Sequence, residues 1–228
     1  MVAPEDLVRD CYASAAGEQR MEDEHELLEA WRGGDRGAGS RLIAARSREV
    51  TWFFRNKVFD EDDVPDLVSQ TFLRAVSARD RFEGKTSFRR FLYAIAHNVL
   101  REYLRAKTKR AQERLDFGEV CVRDLQPRSL SSLHSEKQQV QALIEALREI
   151  PIEDQVVLEL KYFEGLSGRE LAEVVGMPEG TIRGRLARGL ARLRERVKMQ
   201  PHGVTRPITV EDIETWAAEL RRLRGAAG

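Results

Sequence analysis

Between Thr181 and Arg196, six arginines (Arg183, Arg185, Arg188, Arg192, Arg194 and Arg196) are interleaved with apolar residues at three- and four-residue spacing. A guanidinium fork bonds two acceptors of guanine at once and otherwise pairs with phosphate oxygens. Ile182, Leu186, Leu190, Leu193 and Val197 form the buried stripe of a helix, and the arginines occupy its other faces. The first residues of such a helix reach base edges before the rest, which singles out Thr181, Arg183, Arg185 and Arg188. Arg192, Arg194 and Arg196 lie further along, toward phosphate or solvent. A second stretch, Phe88 to Arg110, mixes aromatic and cationic residues. Unpaired bases stack on aromatic rings while cations hold the backbone of an opened strand. Tyr93, Asn98, Arg101, Tyr103 and Arg105 suit this chemistry, and Lys107, Lys109 and Arg110 suit phosphate contacts. The other reading of Tyr93 and Tyr103 is core packing.

A third group, Asp60-Glu61-Asp62-Asp63, offers carboxylates to a metal-dependent nuclease. They are contiguous rather than convergent, and no general base or positioned nucleophile accompanies them. The histidines (His25, His97, His134, His202) and the cysteines (Cys11, Cys121) lack ligand spacing. No catalytic residue, metal or cofactor is expected; the chemistry on offer is binding. Lys plus Arg and Asp plus Glu number 38 each, so the net charge is zero and a uniformly basic coat is excluded. Charge is segregated instead, with acids over Glu5–Glu29 and Asp60–Asp66 and bases over Arg101–Arg114 and Arg183–Lys198. That division suits a protein binding DNA with some surfaces and protein with others. No signal peptide is read at the N-terminus, and no apolar run approaches the ~20 residues of a membrane span. A cytoplasmic protein without membrane insertion is expected.

The elements that must position these residues are all helical. Residues 1–20 show no periodicity and are expected to be disordered. A helix begins near Asp23 with Leu27, Leu28 and Trp31 on one face and ends at Gly33-Gly34. Ser40 to Val58 is the second and Val64 to Ser77 the third, preceded by acids and with Pro65 in its first turn. Ser87 opens a fourth, Phe88 to Lys107. Residues 108–135 contain Gly118, Pro127 and a serine-rich run without period, and read as a flexible linker. Periodicity returns at Val140 to Ile150 and again at Glu153 to Phe163. Ser167 and Glu170 then form a capping box, Gly176 stops a helix, and Pro178 starts the arginine-bearing one. This is a helix-turn-helix. After a break at 199–207, Thr209 caps a short helix, Val210 to Arg224, striped by Ile213, Trp216, Ala217, Leu220 and Leu223. The fold expected is all-α: two small helical domains joined by a linker, plus a short C-terminal helix.

In this order and spacing the chain resembles sigma-70-family sigma factors of the extracytoplasmic-function group, the promoter-recognition subunits of bacterial RNA polymerase. Four segments carry the resemblance: Asp66 to Ala75 (DLVSQTFLRA), Phe82 to Arg105 (FEGKTSFRRFLYAIAHNVLREYLR), Leu147 to Ser167, and Gly180 to Arg194 (GTIRGRLARGLARLR). The resemblance implies a region 2 at 21–107, which binds polymerase and captures and melts the minus-ten element. It implies a region 4 at 136–198, which reads the minus-thirty-five element through Thr181, Arg183, Arg185 and Arg188. Residues 199–228 are an extension. Asp63, Asp66, Leu67, Gln70, Phe72 and Arg74 are the implied contacts to the β′ clamp coiled coil of core RNA polymerase, and the β flap is a further contact. The loop 82–87 would receive a flipped base. The linker would run through the polymerase active-site cleft and RNA exit channel, where its acids Glu113, Asp116, Glu119 and Asp124 would mimic an RNA path. An anti-sigma factor is a further partner the family allows, and in the free chain the domains are expected either to pack together or to be held by it, masking both DNA surfaces. Gly184 departs from the family's usual polar residue, at a cost of about 1 kcal/mol in helix propensity unless close backbone approach requires it. The alternative is a stand-alone helix-turn-helix regulator, which explains 162–198 but neither Asp66–Ala75 nor Phe82–Arg105.

Overall fold

The computed structural model describes residues 24–79, 82, 86–109, 118–122, 138–200 and 208–226. Among these there are helices and one isolated β-bridge. The disorder expected for 1–20, and residues 83–85 of the loop 82–87, lie outside the described residues.

Helix α1 (24–32) ends at Gly33-Gly34, where Gly34 has φ 104°. Helix α2 is Arg36–Arg55 and starts four residues earlier than periodicity indicates. The cause is Asp35, whose carboxylate accepts the amides of Gly37 and Ala38. Gly39 is required within α2, since a Cβ there would meet the Trp31 ring at 2.4 Å. A 3-10 turn, Glu61–Asp63, leads into α3 (Val64–Ala78), and α4 runs Phe88–Lys109. In the second half come α5 (Gln138–Arg148) and α6 (Ile152–Leu158). Helix α6 continues as one π turn, Glu159–Phe163, marked by Glu164 N–H bonding to the Glu159 carbonyl at 3.1 Å. Then come α7 (Gly168–Val175), α8 (Glu179–Met199) and α9 (Val210–Ala226).

The capping box of α7 is present: Ser167 N–H donates to Glu170 at 2.7 Å and Glu170 N–H to the Ser167 hydroxyl at 3.3 Å. Gly176 takes φ 71° and ends that helix. Helix α8 then begins after Pro178.

The two halves do not stand apart. Leu42, Phe54, Phe88, Leu92 and Leu100 share one buried cluster with Ile152, Val156, Leu160, Leu171 and Ile182. Apolar burial is non-directional, so two half-buried bundles joined by a tether gain by closing on one another. Charged residues complete the seam. Lys57 at the end of α2 is ion-paired with Glu159, and both side chains are almost fully buried. Asn56 donates to the other oxygen of Glu159 at 3.1 Å, and Gln155 does so at 2.8 Å. Arg89 of α4 bonds the carbonyl and carboxylate of Glu164.

A second cluster joins α5, Phe163, Leu193 and Val197 to Ile208, Ile213, Trp216 and Ala217 of the C-terminal segment. The C-terminal helix therefore packs on the second half. The side chains of Leu220 and Leu223 lie outside the described residues. One short part of the linker, 118–122, is anchored on the folded body. Val122 is buried in the first cluster, Cys121 bridges to Pro151, and Ile152 N–H bonds the Val120 carbonyl at 3.0 Å. Period-based reading misses this anchor because five residues carry no helical period.

Candidate nucleic-acid and protein interfaces

Helix α8 approaches α6 closely at Gly189, whose missing Cβ would sit 3.1 Å from Asp154, and buries Leu193 and Val197 in the second cluster. That contact fixes which arginines face outward. Thr181, Arg183 and Arg188 are exposed, and Arg183 lies 3.9 Å from Glu179 on the same helix face. Arg185 is different. It turns inward to Glu153 at 2.7 Å and to the buried Asp154 at 3.3 Å, and is only 14% exposed. Arg192 also pairs with Asp154, at 2.6 Å. A buried carboxylate is costly without cationic partners, and Arg185 and Arg192 supply them to Asp154, so Arg185 braces the helix-turn-helix in this arrangement instead of presenting its fork to a base. Gly184 shows no close backbone approach; a Cβ there would meet only the flexible end of Arg188, at 3.4 Å.

Helix α4 sorts its residues by face. Asn98 and Arg105 are exposed and Arg101 is half-buried. Tyr93 is 2% exposed and packs on Phe53 at 5.8 Å between ring centroids. Burial raises its phenolic pKa well above the ordinary value, with the nearby Glu164 and Glu49 charges adding to the shift. Of the two readings of Tyr93, core packing is the one realised in this arrangement. Tyr103 is half-buried. Its hydroxyl accepts the Phe59 N–H at 3.0 Å and donates to Asp63 at 2.7 Å. Lys107 pairs with the same Asp63 at 2.8 Å and lies over the Tyr103 ring. Lys109 ends the helix with its side chain outside the described residues, and Arg110 lies outside them altogether.

Helix α3 presents Asp66 and Gln70, hydrogen-bonded to each other at 2.7 Å. Arg74, one turn on, is bound in a fork to Glu102 of α4 at 2.8 and 2.6 Å. Leu67 and Phe72 are core residues, 3% and 8% exposed, so they seat the helix and do not form its outer surface. Asp63 faces α4, as its pairs with Tyr103 and Lys107 require. The outer face holds two residues that charge and polarity alone do not single out: Leu73, 66% exposed, and Val76, 38% exposed. Contiguous apolar surface rimmed by polar residues is the kind that suits a protein contact. An apolar residue beside Phe72 reads as core from sequence, and only the helix orientation shows otherwise.

The carboxylates at 60–63 do not converge on a shared point. Asp60 accepts the Asp62 N–H as a cap, and Asp63 is engaged with α4. Among the described residues no helix is long and apolar enough to cross a membrane.

The arrangement matches known proteins over both halves. The family model described as Sigma-70 region 2 matches residues 42–110, and that described as Sigma-70, region 4 matches residues 140–193. The ECF RNA polymerase sigma-E factor of Salmonella typhimurium is 30% identical over 171 residues, covering 71% of this chain and 87% of the relative. The ECF RNA polymerase sigma-E factor of Haemophilus influenzae is 26% identical over 181 residues, covering 75% of this chain and 94% of the relative. Among solved structures, the sigma factor RpoE of Bartonella quintana, crystallised with the anti-sigma factor NepR, shares the fold. Its TM-score is 0.55 at 19% identity, over 71% of this chain and 97% of that chain.

Proposed function

The chain belongs to the sigma-70 family, in its extracytoplasmic-function group, and from that premise we propose how its two halves divide the work. It is a sigma factor: it binds core RNA polymerase, directs it to specific promoters and promotes melting of the DNA. A stand-alone helix-turn-helix regulator leaves the region 2 match unexplained.

The first unit, region 2 at 21–107 with its last helix α4 running on to Lys109, docks on polymerase through the outer face of α3. Asp66, Gln70, Leu73 and Val76 form that contact with the β′ clamp, while Asp63, Leu67, Phe72 and Arg74 hold the helix against α4. Asn98, Arg101 and Arg105 meet the minus-ten strand, with Lys107, Lys109 and Arg110 on its phosphates. Tyr103 stays with Asp63 until the strand displaces it. The second unit, α5–α8 (residues 136–198), reads duplex minus-thirty-five DNA with Thr181, Arg183 and Arg188. Arg185 positions the reading helix through Glu153 and Asp154. The protein works in the cytoplasm, as a non-catalytic subunit.

Size requires the two units to separate. A compact body of this length has a radius of gyration of about 17 Å and is roughly 45 Å across. Elements centred near minus-ten and minus-thirty-five are separated by ~85 Å of duplex at 3.4 Å per base pair. Roughly 28 residues (110–137) connect α4 to α5, and they reach ~95 Å when extended. The closed chain is thus a resting form and the linker is long enough for the working one. In the resting form Thr181, Arg183 and Arg188 are still exposed, so closure does not mask the minus-thirty-five reader. What it hides is Tyr93 and the face of α4 beneath Glu164. An anti-sigma factor, the kind of partner bound by the Bartonella protein, acts by holding this state. The observation that carries the reading is the exposed Arg183–Arg188 front on one unit with the Leu73 face on the other. The test is run-off transcription with core polymerase on a promoter library: a promoter-dependent transcript supports it, and no transcript from either the full chain or an opened variant overturns it.

A further inference from the structure

The C-terminal helix α9 lies beyond the region 4 match, which ends at residue 193, and no role above uses it. Its inner face is buried in the second cluster through Ile213, Trp216 and Ala217, and Trp52 of α2 packs against the same cluster. Arg221 donates to the carbonyls of Tyr162 and Phe163, at 3.1 Å each. Those carbonyls end the π turn. Glu159, which starts that turn, takes Lys57 and Asn56 from the first unit, and Glu164, which follows it, takes Arg89.

The geometry of the turn makes these contacts one device. Residues five apart on an α-helix point about 140° from each other at 3.6 residues per turn. In a turn bonded i to i+5 they come close to one face. The π turn is therefore what brings Glu159 and Glu164 together toward the first unit. Arg221 satisfies its last carbonyls. A helix the length of α9 is marginal alone, so it holds the turn only while docked and is displaceable.

We propose that α9 is an autoinhibitory brace: docked on the π turn, it keeps Glu159 and Glu164 presented to Lys57 and Arg89 and so holds the two units closed. The proposal builds on the reading that the units part during work. Its test uses only the free full-length chain, so its failure leaves the promoter reading standing. The measurement is amide hydrogen exchange at Glu164 and Leu166, together with the radius of gyration from small-angle scattering, for Arg221→Ala, Trp216→Ala, Lys57→Met and the pairwise doubles. The brace predicts that Arg221→Ala speeds exchange at those two amides about fivefold, as expected for losing a charged hydrogen bond in a local opening. Trp216→Ala is expected to speed it at least tenfold and to raise the radius measurably. Adding either change to Lys57→Met is expected to yield little beyond Lys57→Met alone, since both act on one turn. If Arg221→Ala and Trp216→Ala loosen only α9 and leave Glu164, Leu166 and the radius unchanged, or if their effects on opening add fully to that of Lys57→Met, the brace is overturned and α9 merely packs on its own unit.

Discussion

Lys57 and Glu159 meet as a buried ion pair across 102 residues of sequence and join the two units. Lys57 also donates to the Phe53 carbonyl at 2.8 Å and lies over the Phe53 ring, while Asn56 and Gln155 occupy the other oxygen of Glu159. Removing one member strands a charge in a buried site, at a cost of about 3–5 kcal/mol, whereas replacing both with apolar residues removes that penalty and leaves the smaller cost, about 1–3 kcal/mol, of the Asn56 amide losing its acceptor. Glu159→Gln or Lys57→Met is therefore expected to open the free chain, and Lys57→Met with Glu159→Leu to restore closure. Scattering profiles of the three variants check this; a single variant as compact as the parent contradicts it.

Helix α8 carries two glycines with opposite expectations. Gly184 has room for a methyl group, and Gly184→Ala should raise stability by about 0.5–1 kcal/mol through helix propensity. At Gly189 the same change presses on Asp154 and Leu158, at 3.1 and 3.3 Å, and should destabilise by about 1–3 kcal/mol. Urea unfolding of the two variants decides the sign at each position.

On α8, Arg183 and Arg188 are the proposed readers of DNA and Arg185 the proposed brace. Arg183→Ala and Arg188→Ala should each weaken minus-thirty-five binding by about tenfold and relax base preference, with stability unchanged. Arg185→Ala should lower stability by leaving Asp154 and Glu153 underpaired, while base preference holds. Fluorescence anisotropy on a set of single-base variants, alongside thermal unfolding, distinguishes the two classes.

On α3 the same separation applies. Leu73→Ala should weaken core-polymerase binding about tenfold at unchanged stability, because the side chain is exposed. Tyr103→Phe, which loses bonds to Phe59 and Asp63, should cost about 1–2 kcal/mol of stability and leave polymerase affinity intact. Pull-down titrations and denaturant melts of both variants provide the check.

His97 gives the fold a pH dependence. Burial pushes its imidazole down to about 4, and the charges of Arg101 and Lys57 add to the effect. The unfolded chain takes up a proton near pH 6.5 that the folded chain refuses until about 4. Stability is thus full above pH 6.5 and declines as pH falls toward 4, by ~3 kcal/mol at most from this group. In His97→Gln the slope of stability between pH 6.5 and 4.5 should flatten relative to the parent in parallel urea titrations.

Much of the local architecture is legible in the sequence. Ser167 and Glu170, Gly176 and Pro178 specify the helix-turn-helix because caps and left-handed glycines depend on neighbours in the chain. The apolar stripes of α3, α4 and α8 are equally plain. The closing of the two units is not. Periodicity shows that a face is apolar without showing what covers it. Lys57 and Glu159 read as surface charges until tertiary structure pairs them. The site divides in the same way. Arg183 and Arg188 are exposed where the stripe places them, but Arg185 is turned inward by Asp154, a residue 31 positions away. Leu73 is exposed although its type signals burial, because the seat of α3 is filled by Leu67 and Phe72.

The claim that the closed chain opens across a promoter is tested most directly by one distance. With Cys11 and Cys121 replaced by serine and spin labels at Ala45→Cys on α2 and Glu195→Cys on α8, electron–electron dipolar spectroscopy reports the separation of the units. The free chain should give a single short distance. In the complex with core polymerase and promoter DNA, that separation should lengthen by roughly 40 Å, the gap between a body ~45 Å across and ~85 Å of duplex. An unchanged short distance in a complex that initiates transcription would contradict the account.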